Sequence, residues 1–401
     1  MEKEIQMFLE SEIYKKQKIE YEKEFFKLFG TFCEQIGYEL KERNEKEMTT
    51  FFKNKKIHLE IVQEVINKKG DKITSTIRKT RSFFDVWTND PNIAEYRTKT
   101  FKCDKTLVKK HEYNLFKWFN HFEELEKPKV KLDDIYEHMR SLVNYDESHF
   151  NYLLDWLAQF VQYPHILPHT CIILISDEGV GKDVFWTFIT NVINPLYTAN
   201  IGSLEPICGK FNGLLGGKLL IAINETDPVE SAQRIEDIKS LITTETVNIE
   251  LKNKDIVKHP HYSRFIFFSN RLFAFPVEEG SRRPIIMVSS PKYLKTTIGE
   301  EENKKYFDNL VVNNYKKEEY QYQFLEMLKS RDISKFNPQK FEKSSLHQDL
   351  EEASQSPIVD YLASIVIENP NKKIIKRSTV ECLNELSFQM KEKQLKCHFS
   401  T

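Results

Sequence analysis

The stretch that most constrains the fold is a short apolar run that leads into a glycine-containing turn and a lysine. The apolar residues 171–175 precede Ser-Asp-Glu-Gly-Val-Gly-Lys-Asp at 176–183, and residues 184–189 have the character of a helix. Backbone N–H groups of such a turn and of a helix N-terminus can surround phosphates, and a lysine adds positive charge. The pattern predicts a buried strand, a phosphate-binding loop and a helix. The predicted nucleotide-binding residues are Asp177, Glu178, Gly179, Val180, Gly181, Lys182 and Asp183.

This loop departs from the usual pattern G-x-x-x-x-G-K-[ST] at two positions. Ser176 stands in place of the first glycine, and Asp183 in place of the hydroxyl residue that contacts magnesium. The alternative interpretation is a simple turn between a strand and a helix. The residues that follow decide between the two.

Polar side chains end two further apolar runs downstream of the loop. Residues 218–223 end in Asn224 and Glu225, and residues 264–268 end in Ser269 and Asn270. A carboxylate at the end of a strand beside the loop strand can activate water or hold magnesium, so Glu225 is the predicted base. Asn270 is the candidate for orienting that water and sensing the γ-phosphate. The predicted metal ligands are Asp183, Asn224 and Glu225.

Two basic features flank the apolar run 264–268, one before it and one after it. Alternating apolar residues over 247–257 predict a hairpin whose tip carries Lys252, Asn253 and Lys254, and these are the candidate DNA-binding residues. Arg282 and Arg283 precede a further apolar strand, where one of them could reach the nucleotide of a neighbouring subunit. An exposed hairpin and a solvated arginine pair are the simpler alternatives.

The rest of the chain is divided by its charge and apolar spacing. Apolar steps of three and four predict helices over 1–66, including residues 25–32. Segment 67–168 is predicted to be a collar domain with helices over 115–168. Its first part, 68–110, carries 12 Lys+Arg against 5 Asp+Glu with interleaved aromatic residues, so it is either a DNA contact or a small core. The predicted ATPase domain is 169–335, and 336–401 is predicted as a small helical or winged-helix tail.

Composition limits the partners that the whole chain can attract. Its 59 Lys+Arg balance 60 Asp+Glu, so any basic surface must be local. The 6 cysteines have no paired spacing of the metal-binding or redox kind. The sequence lacks an apolar run of the roughly 20 residues that a membrane span needs. We expect a soluble, cytoplasmic protein without a membrane partner.

The order of loop, Asn-Glu strand, lysine-tipped hairpin, Ser-Asn strand and Arg-Arg resembles a superfamily 3 helicase of the poxvirus and phage primase-helicase type. The resemblance extends over about residues 80–335. It implies an α/β P-loop NTPase core of the AAA+ type preceded by an α-helical domain, ATP and Mg²⁺ at subunit interfaces, and a hexameric ring around single-stranded DNA. It assigns phosphate binding to Lys182, water activation to Glu225, and the arginine finger to Arg282 or Arg283.

The resemblance leaves three functional readings open. In that family a primase or primase-polymerase often precedes the helicase, so we expect a fused or separate primase partner in phage or plasmid replication. Asp183 and Asn224 are expected to compensate for each other around magnesium, which accepts oxygen ligands from either source. The first alternative is a ring that binds DNA but hydrolyses ATP weakly, such as a clamp or loader. The second is a P-loop phosphotransferase.

Overall fold

The computed structural model describes residues 2–36, 39–66, 72–119, 122, 129–224, 230, 233–252, 255–270, 281–341 and 343. The chain forms two compact units that divide between Lys117 and Trp118. The predicted boundary between residues 66 and 67 lies at the end of the strand Lys56–Ile66. The partner of that strand, Lys72–Ser82, belongs to the same unit. Each unit has its own core and is described by itself.

The N-terminal unit combines short helices with mainly antiparallel strands. Its helices are α1 Glu2–Glu10, α2 Glu12–Tyr21, α3 Glu45–Phe51 and α4 Phe83–Thr88. Its strands are β1 Phe25–Leu28, β2 Thr31–Ile36, β3 Glu39–Arg43, β4 Lys56–Ile66, β5 Lys72–Ser82, β6 Glu95–Tyr96, β7 Thr98–Thr100 and β8 Glu112–Asn114. Four strands form a sheet in the order β3-β2-β1-β6, while β4 pairs with β5 and β7 with β8. The expected all-helical N-terminal domain is therefore wrong.

The helix predicted over residues 25–32 is a β-hairpin. Leu28 pairs with Thr31 across a two-residue turn, and the turn residues Phe29 and Gly30 have φ values of 52° and 78°. Positive φ at both central residues is the conformation that two-residue hairpin turns favour, and it ends a right-handed helix. Apolar steps of three and four thus occur here on two paired strands.

The helix predicted from residue 115 is also wrong at its start. Strand β8 ends at Asn114, and the residues up to 119 contain no helix. Trp118 has a φ of 56°, which an α-helix of L-residues does not accommodate. The helical part of the predicted collar begins with α5.

The aromatic residues of the basic segment form the core of the N-terminal unit. Phe83 and Trp87 are 0% exposed and Phe84 is 4% exposed. Their rings lie within 6.4 Å, centroid to centroid, of Phe52. Rings that are buried in this way cannot stack on nucleic-acid bases, so the core interpretation is confirmed for these three residues.

The C-terminal unit contains a parallel sheet between helices. Its helices are α5 Asp133–Leu142, α6 Glu147–Gln162, α7 Lys182–Ile193, α8 Glu205–Cys208, α9 Ile235–Thr243, α10 Lys295–Ile298, α11 Glu300–Asp308, a π-helix Asn309–Tyr315 and α12 Glu318–Ser330. Its strands are β9 Cys171–Ile175, β10 Thr198–Ile201, β11 Leu220–Asn224, β12 Thr246–Ile249, β13 Val257–Pro260, β14 Arg264–Ser269 and β15 Pro284–Val288. Short 3₁₀ turns occur at Lys105–Leu107 in the first unit and at Pro195–Tyr197 and Gly213–Gly216 in this one.

Five parallel strands form the sheet in the order β10-β11-β14-β9-β15. Each neighbouring pair is parallel, so β14 lies between β9 and β11 although it follows both in sequence. Strands β9 and β14 are buried at every residue. Parallel strands with both faces covered read as continuous apolar runs, which is why the sequence predicts them.

Helices cover both faces of the sheet. On one face, Ile173, Ile223 and Phe267 join the core cluster that includes Ile238 and Ile242 of α9. On the other face, apolar side chains of the sheet meet those of α5, α6 and α7 around a small cavity. The residues lining that cavity are Leu142, Leu153, Ile172, Leu174, Phe185, Ile266, Phe268 and Met287. The result is a three-layer α/β/α unit.

The helices α5 and α6 bear out the helical expectation for 135–143 and 153–161. Helix α6 has 16 residues and is the longest helix in the described part of the chain. None of the helices in the described ranges is long and apolar enough to cross a membrane. Of the predicted tail, 336–401, only 336–341 and 343 are described, so its remaining residues lie outside the described part.

A buried arginine joins the end of α6 to the sheet. Arg264, the first residue of β14, is 1% exposed. Its guanidinium donates to the carbonyl oxygens of Ile166 at 2.5 Å, Tyr163 at 3.2 Å and Pro164 at 3.2 Å, and it lies 4.8 Å from the ring centroid of Phe160. Carbonyl groups at a helix C-terminus lack partners within the helix. Arg264 supplies those partners at and just beyond the end of α6.

Substitution of Arg264 by methionine should destabilise the C-terminal unit by about 3 kcal/mol, because the buried acceptors Pro164 O and Gln159 Oε1 and two partly buried carbonyl groups lose this donor at once. Scanning calorimetry should show a lower unfolding midpoint. The control is Arg282→Met, because Arg282 is exposed and its removal should change stability by about 0.5 kcal/mol or less. Equal midpoints for the two variants would contradict the role given to Arg264.

Candidate functional site

The predicted phosphate loop leaves the carboxyl end of β9 and enters α7. Gly179 and Gly181 have φ values of +91° and +93°, a region that glycine adopts more readily than other residues. Gly181 is the N-cap of α7, which has 12 residues. The loop therefore ends at the N-terminus of a long helix, whose free N–H groups and dipole favour an anion.

The structure gives a physical reason for serine in place of the first glycine. Ser176 is not among the residues with positive φ, so its backbone does not need glycine. Its N–H donates to Ser269 O at 2.9 Å, which extends the pairing of β9 with β14 by one residue. Its Oγ is buried and has no hydrogen-bond partner, and a polar atom in that state normally acquires one from a ligand or water.

Lys182 and Asp183 occupy the first turn of α7. Lys182 Nζ lies 3.4 Å from Ser176 O, so the side chain folds back across the loop from its end to its beginning. Asp183 is exposed and lies where a negative charge is favoured by the helix dipole. The loop thus has a cation directed toward its interior and a carboxylate on its outer side.

Two of the predicted strand-end residues reach the same edge of the sheet as the loop. Asn224 pairs in register with Phe268, and Ser269, which precedes Asn270, pairs with Ile175. Because the strands are parallel, their carboxyl ends lie side by side, with β9 and β11 about 10 Å apart. Asn224 Oδ1 is buried and lacks a partner, whereas Asn270 is exposed. Glu225, the predicted base, lies outside the described residues.

The residues expected to hold magnesium suit a hard cation as far as they are described. Asp183 offers a carboxylate and Asn224 offers an amide oxygen that nothing else satisfies; both are ligand types that Mg²⁺ accepts. No cluster of three or more His, Cys, Asp or Glu side chains that could bind a metal occurs among the described residues. Glu225, the third expected ligand, lies outside the described residues.

The predicted basic hairpin is formed by β12 and β13. Ile249 pairs with Val257 at the end of the antiparallel ladder, and Lys252 lies exposed beyond it. Asn253 and Lys254 lie outside the described residues. Asn212, which the sequence reasoning missed, secures the hairpin by donating to Asn248 O at 2.9 Å and accepting from Glu250 N at 3.0 Å.

The arginine pair lies at the opposite edge of the sheet from the loop. Arg283 O accepts from Cys171 N at 2.8 Å, which places this residue beside the first residue of β9. Arg282 is exposed. Five residues of parallel strand span about 16 Å, so neither arginine lies at the loop of its own chain.

A hydrogen-bond cluster next to the loop was not predicted. Glu137 of α5 accepts from Tyr145 OH at 2.7 Å, Lys292 Nζ at 2.7 Å and Tyr293 OH at 2.6 Å. Burial raises the pKa of Glu137, but these hydrogen bonds outweigh it and lower the pKa to about 2. The segment after β15 is thereby fixed beside the loop, where a Cβ on Gly179 would lie 3.7 Å from Leu294.

Two sequence comparisons relate this chain to other proteins. A family of unknown function (DUF5906) matches residues 174–283, which run from the end of β9 to the residues before β15. The DNA primase-polymerase of Nitratiruptor phage NrS-1 is 26% identical over 161 residues, covering 39% of this chain and 22% of that protein. The match thus spans about a fifth of the length of this curated relative.

Solved structures of the NrS-1 C-terminal region have a similar fold. Its apo structure gives a TM-score of 0.59 at 15% identity, covering 92% of this chain and 84% of that chain. The A form apo structure gives 0.57 at 15% identity, covering 95% and 82%. The mixed α/β fold with a parallel sheet is therefore shared with the C-terminal region of NrS-1.

Gly181 should be the least replaceable glycine of the loop. A Cβ there would lie 2.6 Å from His138 Nε2 and 2.6 Å from Phe307 Cε1, whereas one on Gly179, at a similar φ of +91°, would make only an ordinary contact of 3.7 Å with Leu294. Gly179→Ala should cost about 1–3 kcal/mol from the backbone alone. Gly181→Ala should cost about 1–3 kcal/mol more because of crowding. Urea denaturation measures both, and equal losses would exclude the close approach to His138.

Proposed function

We propose that this chain is an ATP-driven motor on single-stranded DNA, a superfamily 3 helicase with an AAA+ type core that acts in phage or plasmid replication. The observation that supports it best is the meeting of the loop with Asn224 and Asn270 at one edge of the sheet. Two buried oxygens at that edge, Ser176 Oγ after β9 and Asn224 Oδ1 at the end of β11, lack a hydrogen-bond partner. Their state is consistent with a ligand bound at this edge. The name of the phage relative, DNA primase-polymerase, adds the link to replication.

Each residue at this edge has a defined part in the proposed hydrolysis. The N–H groups of the loop hold the phosphates, and Lys182 moves from Ser176 O to the outer phosphates as a point charge. Asn270 orients the attacking water and Glu225 accepts its proton. Asp183 and Asn224, with Glu225, would hold Mg²⁺. When bound, this ion neutralises charge on the phosphates.

The remaining predicted residues act, in this proposal, between subunits and on DNA. Arg282 or Arg283 serves as a finger for the nucleotide of a neighbouring chain, which fits their distance from the loop of their own chain. Such a finger accounts for a rate factor of about 10³ to 10⁵ in enzymes that use one in trans. A hexameric ring would bring these edges together, and Lys252, Asn253 and Lys254 would line its pore. The primase-polymerase is a fused or separate partner.

A ring that binds DNA but hydrolyses ATP weakly is the second candidate. The observation in its favour is Asp183, which adds a negative charge at the first turn of α7, where the usual residue is neutral. A P-loop phosphotransferase is the third candidate, and it needs no ring. Light scattering of the protein after gel filtration distinguishes the phosphotransferase from the two ring candidates, because a ring would have about six times the 47.6 kDa mass of one chain.

ATP hydrolysis by the native chain should rise when single-stranded DNA is added, and Lys182→Ala should lower it by about 10²-fold or more, because a preorganised charge at the phosphates is lost. Lys316→Ala is the control, since Lys316 is exposed on the segment before α12 and its removal should leave the rate unchanged. Phosphate release measures both. DNA binding as a ring with no hydrolysis in any variant would instead favour the clamp or loader.

Asp183→Thr should slow hydrolysis by at least about tenfold, because the proposed metal site loses its carboxylate from the loop side. The matched variant is the double substitution Asp183→Thr with Asn224→Asp, which returns the carboxylate from the strand side. The double variant should recover most of the activity of the native chain. A single variant that is as fast as the native chain would show that Asp183 does not hold the metal.

A further inference from the structure

The imidazole of His138, on α5, is buried and contacts the predicted phosphate loop from the protein interior. Its side chain is 0% exposed. Its Nε2 lies 3.3 Å from Val180 O and its Nδ1 lies 2.7 Å from Tyr315 OH. The site described so far gives this residue no part.

The two contacts fix which ring nitrogen carries the proton. A carbonyl oxygen can only accept, so Nε2 must donate to Val180 O. Nδ1 is then the acceptor of the neutral ring, and the hydroxyl of Tyr315 donates to it. Burial raises the pKa of Tyr315 well above its usual value, so the hydroxyl remains a donor.

His138 is neutral at physiological pH for a physical reason. Burial lowers its pKa to about 4, although its hydrogen bond to Val180 acts in the opposite direction. The rings that surround it are Tyr306, Phe307 and Tyr315, with centroids 6.5 Å, 6.0 Å and 5.7 Å away. An apolar surrounding of this kind disfavours the imidazolium.

The imidazole contacts two successive residues of the loop. It bonds to the carbonyl of Val180, and its Nε2 occupies the space where a Cβ on Gly181 would be, at 2.6 Å. The side chain of Val180 is only 4% exposed, so this residue is held on the core side of the loop. Because His138 is fully buried, the Val180 carbonyl that bonds to it faces the protein interior and is not presented to an anion that approaches the loop from solvent.

Tyr315 is itself held from two sides, so the donor to Nδ1 has a fixed position. Its ring stacks on Phe188 of α7 with centroids 4.2 Å apart and an interplanar angle of 18°. Its carbonyl accepts from Gln321 Nε2 at 2.8 Å, and its neighbour Asn314 donates to Asp134 Oδ2 of α5 at 3.1 Å. The residue ends a π-helix, a distortion that is frequent at functional sites.

We propose that His138 is a positioning residue of the nucleotide site: its Nε2–H holds the Val180 carbonyl turned away from the phosphates, and the Tyr315 hydroxyl keeps the imidazole in the tautomer that can do so. The proposal rests on the nucleotide-binding function proposed above. His138 touches neither phosphate nor metal and acts only through the loop.

Two amide variants separate the two nitrogens of the ring. In His138→Gln the amide nitrogen can take the place of Nε2 and donate to Val180 O. In His138→Asn the shorter side chain can reach only the position of Nδ1, so the bond to Val180 is lost. Tyr315→Phe removes the hydroxyl and leaves the imidazole free to change tautomer.

The first measurement is the dissociation constant for ATP with magnesium, beside the unfolding midpoint of each variant. The Asn variant should bind about tenfold more weakly than the native chain, as expected for one lost hydrogen bond, and the Gln variant should bind within about threefold of it. Tyr315→Phe should weaken binding by less than the Asn variant. Equal affinities of the Gln and Asn variants, or losses that follow only the midpoints, would overturn the assignment.

A second measurement needs no nucleotide, so it separates this inference from the proposed function. Amide hydrogen exchange in the nucleotide-free protein should be faster at Phe185, whose N–H donates to Gly181 O at 2.9 Å, in the Asn variant than in the Gln variant. If the native chain failed to bind ATP, the proposed function would fail, but this difference would still support the role of His138 in holding the loop. Equal exchange in both variants would refute that role.

Discussion

The constraint on which the C-terminal unit depends is the parallel alignment of five strands, of which β9 and β14 are buried at every residue. All of them end at one edge, so that the loop after β9, Asn224 at the end of β11 and Asn270 after β14 become neighbours although they are distant in sequence. Because β14 lies between β9 and β11, these two strands are about 10 Å apart, and so are the start of the loop and Asn224. Helices on both faces then remove the strands from water, which makes the edge a rigid frame for polar groups.

The sequence predicts strands β9, β11 and β14 and their polar ends, because a doubly covered parallel strand is a continuous apolar run that stops at its first polar residue. It does not predict the groups that hold these elements together. His138 and Val180 are 42 positions apart, and Arg264 and Ile166 are 98 apart. A single histidine in an amphipathic helix, or an arginine that opens a strand, carries no local sign of such a partner.

In the N-terminal unit, by contrast, the apolar spacing of the sequence predicts helices where the structure has strands. Its short strands are separated by tight turns, and the apolar spacing across a hairpin can match that of a helix over two turns. The deciding residue is Phe29, which adopts a positive φ although its side chain does not favour it. Backbone conformation of that kind is fixed by tertiary contacts, so a local pattern could not have revealed it.

The separation of Arg282 and Arg283 from the loop also restricts how two chains could pair in an assembly that uses them. An interface that places these arginines at the loop of another chain must join unlike ends of the two sheets. A twofold dimer would make this contact twice within one interface, with the two sheets antiparallel to each other. A heterologous interface would make it once, and its repetition closes into a cycle or extends as a filament in which each interior subunit faces two different neighbours.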